Sequence, residues 1–266
     1  MVDFDRLWQV SRDNPHITIE SHIGGVAFIG PFGSGKTSIA NLMMNRFNMR
    51  DQTAPTIAVK ISHADALRME VMFAVLQSSK ATTQLCGSSA HGTTKAAGFC
   101  SLCVVWMQDQ LTNVQTKAKW RSLLQAWGAT KRNVVNEDYW LDQFLENAET
   151  KALAKSSYTV FWVFNDDTRY PNEYNALISR NFMFIRVDGP DEMPMQGEVN
   201  KPITNVVNFP ASGALVATPN HLQHESEQFW PQFGFHARIP YENGNLASRA
   251  DIAYELICEH FDAKPV

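Results

Sequence analysis

Short apolar runs alternate along this chain with longer stretches of helical periodicity, and that alternation sets the first expectations. Gly25 to Ile29 (GVAFI) is a compact apolar run that ends in a glycine-rich turn, as a short buried strand does. Ile39, Leu42, Met43 and Phe47 then recur at helical spacing with no glycine or proline between Lys36 and Phe47, which predicts a helix directly after the turn. Thr56 to Ile61 (TIAVKI) predicts a second strand, and Leu67, Val71 and Val75 give one apolar face to a helix from Ala64 to Leu76. Trp120, Leu123, Leu124 and Trp127 mark a helix expected to end at Gly128, and Leu141, Phe144, Leu145 and Ala148 mark another from Asp138 to Leu153. Tyr158 to Phe164 (YTVFWVF) has the aromatic and β-branched bias of a central parallel strand covered on both faces. A short helix from Glu173 to Arg180, a strand from Phe182 to Val187, a further element at His236 to Pro240 and a final helix through Phe261, capped by Asn245, complete the series.

Strands alternating with helices predict an α/β fold, a mostly parallel sheet flanked by helices. The 266 residues read as one domain without internal repeats, and the chain is long enough to bury a self-sufficient core. Two segments interrupt the pattern. From 77 to 116 the composition shifts to Ser, Thr, Gly and Ala and then to the apolar FCSLCVVWM, which suits an insertion or lid, or equally a surface loop followed by one core helix. From 188 to 223 five prolines and the lack of any sustained period predict a loop-rich segment.

Composition narrows the partners. With 44% hydrophobic and 19% charged residues the chain is an ordinary globular sequence. Its 27 acidic and 23 basic residues leave a formal charge of -4, so the molecule as a whole does not complement nucleic acid, and any polyanion must meet a local patch. No apolar run of about 18 residues and no signal-peptide pattern is present, so a soluble, intracellular protein without a membrane partner is expected. The four cysteines are too few and too uneven for a disulfide framework and are expected as reduced thiols. Cys100 and Cys103 would supply only two of the four ligands of a structural zinc site.

Gly30-Pro31-Phe32-Gly33-Ser34-Gly35-Lys36-Thr37 carries the strongest chemical signal, because it satisfies G-x-x-x-x-G-K-[ST] after a strand and at the opening of a helix. In such a P-loop, glycines let successive N–H groups turn inward around phosphates, and the helix adds the positive end of its dipole. Gly30, Phe32, Gly33, Ser34, Gly35, Lys36, Thr37 and Ser38 are therefore the candidate ATP site, with Lys36 on the β- and γ-phosphates and Thr37 on Mg2+. Asp167 and Arg169 follow the predicted central strand, where open α/β sheets place ligands. The carboxylate suits magnesium or an acceptor hydroxyl and the guanidinium suits a phosphate, although a local ion pair would explain both.

Several spaced motifs carry a family resemblance. Arg121-Ser-Leu-Leu-Gln125-Ala-Trp-Gly128, Asn136-Glu-Asp-Tyr-Trp140 and Asp167-Thr-Arg169-Tyr-Pro-Asn-Glu173 follow one another in the order of R-x-L-x-Q-x-x-G, Y-W and D-x-R-x-x-x-E, and His224-Glu225-Ser226-Glu227 fits a late H-x-[ST]-E. This series resembles the deoxynucleoside monophosphate kinases of tailed bacteriophages. The resemblance runs from Val26 to about Ile257, leaving the middle insertion and the proline-rich loop unmatched. It implies a P-loop kinase fold with a helical or lid insertion, and a γ-phosphoryl transfer from ATP to a deoxynucleoside monophosphate in the cytoplasm of an infected bacterium; it leaves a homodimer open. It also implies that Arg121, Gln125 and Gly128 line a monophosphate pocket. Trp140 would pack near the base or sugar, Asp167, Arg169 and Glu173 would hold the acceptor, and Asp65 and Arg68 would face it. Trp140 and Gln125 have an alternative as core and helix-surface residues, and Arg132, Lys117 and Lys119 suit either a lid over the phosphates or a solvated helix face.

The family has an aspartate directly after the P-loop lysine, where this chain has Thr37 followed by Ser38. Asp65, Asp166 or Asp167 would have to replace it. That departure and the long insertion leave room for a related acceptor, a hydroxymethylated pyrimidine within DNA, with Lys117, Lys119, Arg121, Lys131 and Arg132 as the groove. A third reading is a P-loop motor or switch. It lacks an acidic Asp-Glu pair at a strand end and an arginine-finger motif.

Overall fold

The computed structural model describes residues 22–49, 56–78, 101–153, 160–190, 229–241 and 245–262. Among them the elements are β1 (His22–Ile29), α1 (Lys36–Met49), β2 (Thr56–Lys60), α2 (His63–Gln77), α3 (Ser101–Thr112) and α4 (Val114–Thr130). A π-helical turn (Lys131–Val135), α5 (Tyr139–Leu153), β3 (Val160–Asn165), α6 (Pro171–Ile178), β4 (Met183–Val187), β5 (Ala237–Ile239) and α7 (Leu246–Asp262) follow. The five strands form one sheet in the order β2-β3-β1-β4-β5, and every pair is parallel. The protein is thus an α/β protein with an all-parallel sheet flanked by helices.

Contacts divide the chain into two compact units, Met1–Ser62 with Leu145–Val266, and His63–Phe144. The first contains the whole sheet. Val26 and Phe28 of β1, Ile185 and Val187 of β4 and Ile239 of β5 bury one face of the sheet against Ile39, Ala40, Met43 and Phe47 of α1 and Ala250, Ala253 and Ile257 of α7. Phe47 anchors that layer, with its ring 4.6 Å from Trp162 and 5.4 Å from both Phe164 and Tyr254. Tyr174 of α6 packs its ring 4.6 Å from those of both Phe184 and Phe233. The apolar stripe that predicts α7 faces this core, and the Asn245 side chain caps the helix by accepting the Ser248 N–H at 3.0 Å.

The second unit is helical and has its own core. Val71, Met72 and Leu76 of α2 pack with Cys103, Met107 and Leu111 of α3 and Leu124 of α4. Within the compositionally distinct 77–116 segment, α3 is a core helix, and the Asn113 side chain then caps α4 through the Gln115 N–H at 2.9 Å. Positions 79–100, most of 188–223 and His224 to Glu227 lie outside the described residues.

Four differences from the sequence reading have physical causes. β1 starts at His22, ahead of the run that predicts it, because Gly24 and Gly25 continue the ladder opposite Trp162 and Val163. α4 does not end at Gly128 but continues to Thr130 and widens into the π turn, since the buried Gly128 carbonyl accepts the Trp140 indole N–H at 3.1 Å instead of beginning a cap. The sheet is wholly rather than mostly parallel. Cys103, expected as a reduced thiol, is disulfide-bonded, whereas Cys258 is outside any disulfide; pairing depends on how closely cysteines approach in space, which their count does not reveal. Among the described residues no helix is long and apolar enough to cross a membrane, and no group of three or more His, Cys, Asp or Glu side chains could hold a metal ion.

The β1 glycines are places where aromatic rings need room. A Cβ on Gly24 would lie 2.3 Å from the Trp162 ring and one on Gly25 would lie 2.5 Å from Phe182. Gly24→Ala is therefore expected to lower the unfolding free energy by about 1 to 3 kcal/mol through overpacking. Urea denaturation of the full chain measures this, and an unchanged midpoint would show that the indole has room to move.

Candidate functional site

β1 is the strand at which the sheet changes direction. The chain leaves it toward β2 on one side, while the β3-to-β4 connection crosses to the other, so the carboxyl end of β1 opens at a topological switch point. Three positive-φ glycines make the turn there: Gly30 at 139°, Gly33 at 80° and Gly35 at 91°. Gly30 is constrained a second time, since an added Cβ would lie 2.2 Å from the Val187 carbonyl oxygen. The turn enters α1 at once, with Ile39 N–H bonded to the Gly35 carbonyl at 2.9 Å. Lys36 folds back over the turn and donates to the carbonyls of Gly30 at 2.7 Å and Pro31 at 2.6 Å and to Ser34 Oγ at 3.4 Å. Ser34 is buried, Thr37 and Ser38 are exposed on the first turn of α1, and the Phe32 side chain stands at the rim, 71% exposed.

Residues far away in sequence hold this turn. Arg249 of α7, only 4% exposed, donates Nη1–H to the Ser34 carbonyl at 2.9 Å and Nη2–H to the Asp188 carbonyl at 2.8 Å. Asp188, at the end of β4, receives Arg238 Nε at 3.0 and 2.8 Å and lies 3.4 Å from Arg186 Nε. The sequence reading missed Arg249, Asp188 and Arg238. One signal was present for Arg249: a charged residue stands beside Ala250 and one turn before Ala253 on the otherwise apolar face of the last helix.

The carboxyl end of β3 carries the second set. Asn165 is fully buried; its Nδ2 donates to the Ile61 carbonyl at 3.2 Å, and its Oδ1 accepts the Asp167 N–H at 3.0 Å and the Thr168 hydroxyl at 2.8 Å. Asp166 is buried with Ser62, whose hydroxyl donates to it, and with Lys60 at 3.5 Å. Asp167 and Arg169 form an ion pair, and the Arg169 side chain is 40% exposed. Glu173 is buried and accepts the N–H groups of Arg169 at 2.8 Å and Tyr170 at 3.1 Å through Oε2. Its carboxylate therefore shapes the turn that presents Arg169 and caps the start of α6.

In the helical unit, Gly128, Arg132 and Trp140 come together. A Cβ on Gly128 would lie 3.4 Å from Leu67, 3.8 Å from Trp140 Nε1 and 3.9 Å from Arg132 Nη2. Trp140 is buried and its N–H is used by Gly128, so it supports this corner from within the core. Asp65 and Arg68 pair with each other at 2.8 Å. Arg121 is exposed and Gln125 half-buried on α4.

The sequence reading did not single out Glu70, yet it ties three other elements to α2. Its carboxylate accepts the Trp127 indole N–H at 2.9 Å and the Tyr139 hydroxyl, and Lys131 lies 3.0 Å away. Burial alone would raise the Glu70 carboxyl, but hydrogen bonds from Tyr139, Trp127 and Lys131 outweigh it and hold the group below the ordinary glutamate value. The hydrogen bond to Glu70 in turn raises the Lys131 ammonium, while burial and then Glu70 raise the Tyr139 phenol. The network holds Lys131, the first residue of the π turn that carries Arg132, together with Tyr139 at the start of α5.

Fold and site together define an α/β protein in which a glycine turn and a helix N-terminus occupy the switch point of a parallel sheet. No protein-family model matches the chain, and no curated protein matches it. Glu70 offers a direct test of the helical corner. Because its folded pKa is depressed, its stabilisation is present above the unfolded glutamate pKa and is lost as pH falls through the folded value. Glu70→Gln should cost about 1 to 3 kcal/mol at neutral pH, and the deficit should shrink as the medium is acidified below the usual glutamate range. Urea midpoints measured at several pH values check this; a deficit independent of pH would mean that the charge plays no part.

Proposed function

We propose that the protein is an ATP-dependent kinase of the P-loop type that transfers the γ-phosphoryl group to a deoxynucleoside monophosphate. One observation carries the reading: a strand, a turn with three positive-φ glycines and a helix opening with Lys36 and Thr37 lie at the switch point of a parallel sheet. The first turn of a helix directs N–H groups outward with a positive dipole end, which suits a polyphosphate. Lys36 already donates to neutral carbonyls of the turn, and phosphate oxygens are the stronger, charge-assisted acceptors for the same ammonium. The exposed Thr37 and Ser38 hydroxyls fit a small hard cation that takes few protein ligands and shares phosphate oxygens. Mg2+, when bound, would offset charge on the phosphates.

In the proposed reaction an oxygen of the acceptor monophosphate forms the new bond to the γ-phosphorus, and the bond to the β-γ bridging oxygen breaks, giving a deoxynucleoside diphosphate and ADP. The attacking oxygen needs no deprotonation, so cations and positioning suffice. This agrees with Asp166 and Asp167 both having cationic partners, Lys60 and Arg169. A hydroxyl acceptor, such as a hydroxymethylated pyrimidine in DNA, would require a group to take its proton. The family resemblance in Arg121, Gln125, Gly128 and Trp140 supports the monophosphate, with Asp167 and Arg169 at the acceptor and Glu173 holding their turn. Separate panels of nucleoside monophosphates, unmodified DNA and hydroxymethyluracil-containing DNA in an ATP-consumption assay decide the acceptor. Turnover with DNA alone would reject the monophosphate.

Lys36→Ala should leave the glycine-built turn folded and lower turnover at least about 10²-fold by removing a preorganised charge from the transferring group. Near-normal turnover in a folded variant would exclude Lys36 from the donor site. Arg169→Lys removes the paired N–H donors of a guanidinium and should raise the acceptor KM about 10- to 100-fold with little change in ATP affinity. Independent titrations of ATP and acceptor, with a melting curve, separate this from a purely structural role, for which both constants and the melting temperature would shift together.

A further inference from the structure

We propose that Arg249 is a positioning residue that sets the direction of the Gly35 N–H in the phosphate turn, an inference that rests on reading Gly30 to Ser38 as a polyphosphate site. The argument begins with the peptide between Ser34 and Gly35. A trans peptide is planar, and its carbonyl and N–H point in opposite directions. Arg249 Nη1–H holds the Ser34 carbonyl at 2.9 Å, so the Gly35 N–H of the same peptide is aimed away from Arg249. Gly35 tolerates this orientation because its φ is 91°, a region other residues rarely adopt, and a Cβ there would lie 3.6 Å from Arg249 Nη1.

The reference point for this hold is the sheet. The other arm of the fork, Nη2–H, donates to the Asp188 carbonyl at 2.8 Å, and the Asp188 N–H is bonded to the Ile239 carbonyl at 3.0 Å. One rigid guanidinium therefore fixes the turn against the ends of β4 and β5. The Tyr241 ring, 5.4 Å from Arg249 Cζ, flanks the guanidinium. A lysine offers no planar fork that spans two carbonyls. The turn also closes on itself, through Ser34 N–H to the Pro31 carbonyl at 3.3 Å and through Lys36, but neither bond holds the Ser34 carbonyl.

The test uses the full chain with ATP and pyrophosphate as probes. Arg249→Ala should raise the calorimetric dissociation constant for ATP about 10- to 100-fold, the range for losing a hydrogen bond to a charged group, and leave acceptor affinity unchanged. Free guanidinium at low millimolar concentration should restore part of the affinity by entering the vacated space, a rescue that a purely structural role does not produce. A folded Arg249→Ala protein that binds ATP like the parent overturns the inference and leaves the kinase reading standing. A parent chain that binds neither probe overturns the kinase reading, and the inference falls with it. If Arg249→Ala does not fold, the parent protein labelled with 15N-glycine decides. Pyrophosphate should shift the Gly35 amide strongly, and an unmoved Gly35 amide in a protein that binds pyrophosphate overturns the inference.

Discussion

The approach of Gly30 to the Val187 carbonyl is the constraint on which the candidate site depends. At the point where β1 leaves the sheet, the backbone passes so close to the end of β4 that a side-chain carbon would sit 2.2 Å from the carbonyl oxygen, and φ is 139°. Only glycine satisfies both conditions, so the turn must start here and must start tightly. Everything after it follows over a short distance: α1 begins just past the carboxyl end of the central strand, and Lys36 reaches back over the carbonyls of Gly30 and Pro31. Gly189 plays a similar part on the facing segment, where a Cβ would lie 2.7 Å from the Pro31 ring.

A turn rich in glycine is entropically costly to order, and the chain offsets that cost with contacts from distant elements. Arg249 holds the middle of the turn, and Asp188 gathers the cationic side chains of β4 and β5. Burying Asp188 next to Arg186 and Arg238 avoids an uncompensated charge at the end of the sheet. The β3 end is built with the same economy. One buried amide, Asn165, orders the turn that carries Asp167, and Glu173 spends its carboxylate on backbone N–H groups so that Arg169 is presented at a defined place.

The two units solve separate packing problems. The sheet unit buries aromatic and aliphatic residues around Phe47, while the helical unit packs α2, α3 and α4 around Met72 and Met107. Its polar corner is organised by Glu70, which draws a tryptophan, a tyrosine and a lysine to one carboxylate. A π turn is an irregular device; here Glu70 pairs with Lys131 at its start, and the Asn136 N–H bonds back to the Lys131 carbonyl to close it.

What the sequence alone determined was local. Apolar runs and 3.6-residue periodicity located four of the five strands, β1 to β4, and most helices of the described residues, because burial on both faces of a strand or on one face of a helix imposes those patterns directly. The glycine turn was equally legible, since positive φ restricts the residue type at Gly30, Gly33 and Gly35. Helix ends were less so: Gly128 reads as a stop, yet it is a buried glycine inside a continuing helix, because the decisive partner, Trp140, belongs to the next element. The tertiary structure alone decided which strands neighbour β1, that Asp167 and Arg169 pair, and that Glu173 serves the backbone. It also brought in Arg249 and Glu70, whose partners lie 215 and 57 residues away. Such contacts depend on where packed elements converge, and no spacing along one segment encodes that convergence.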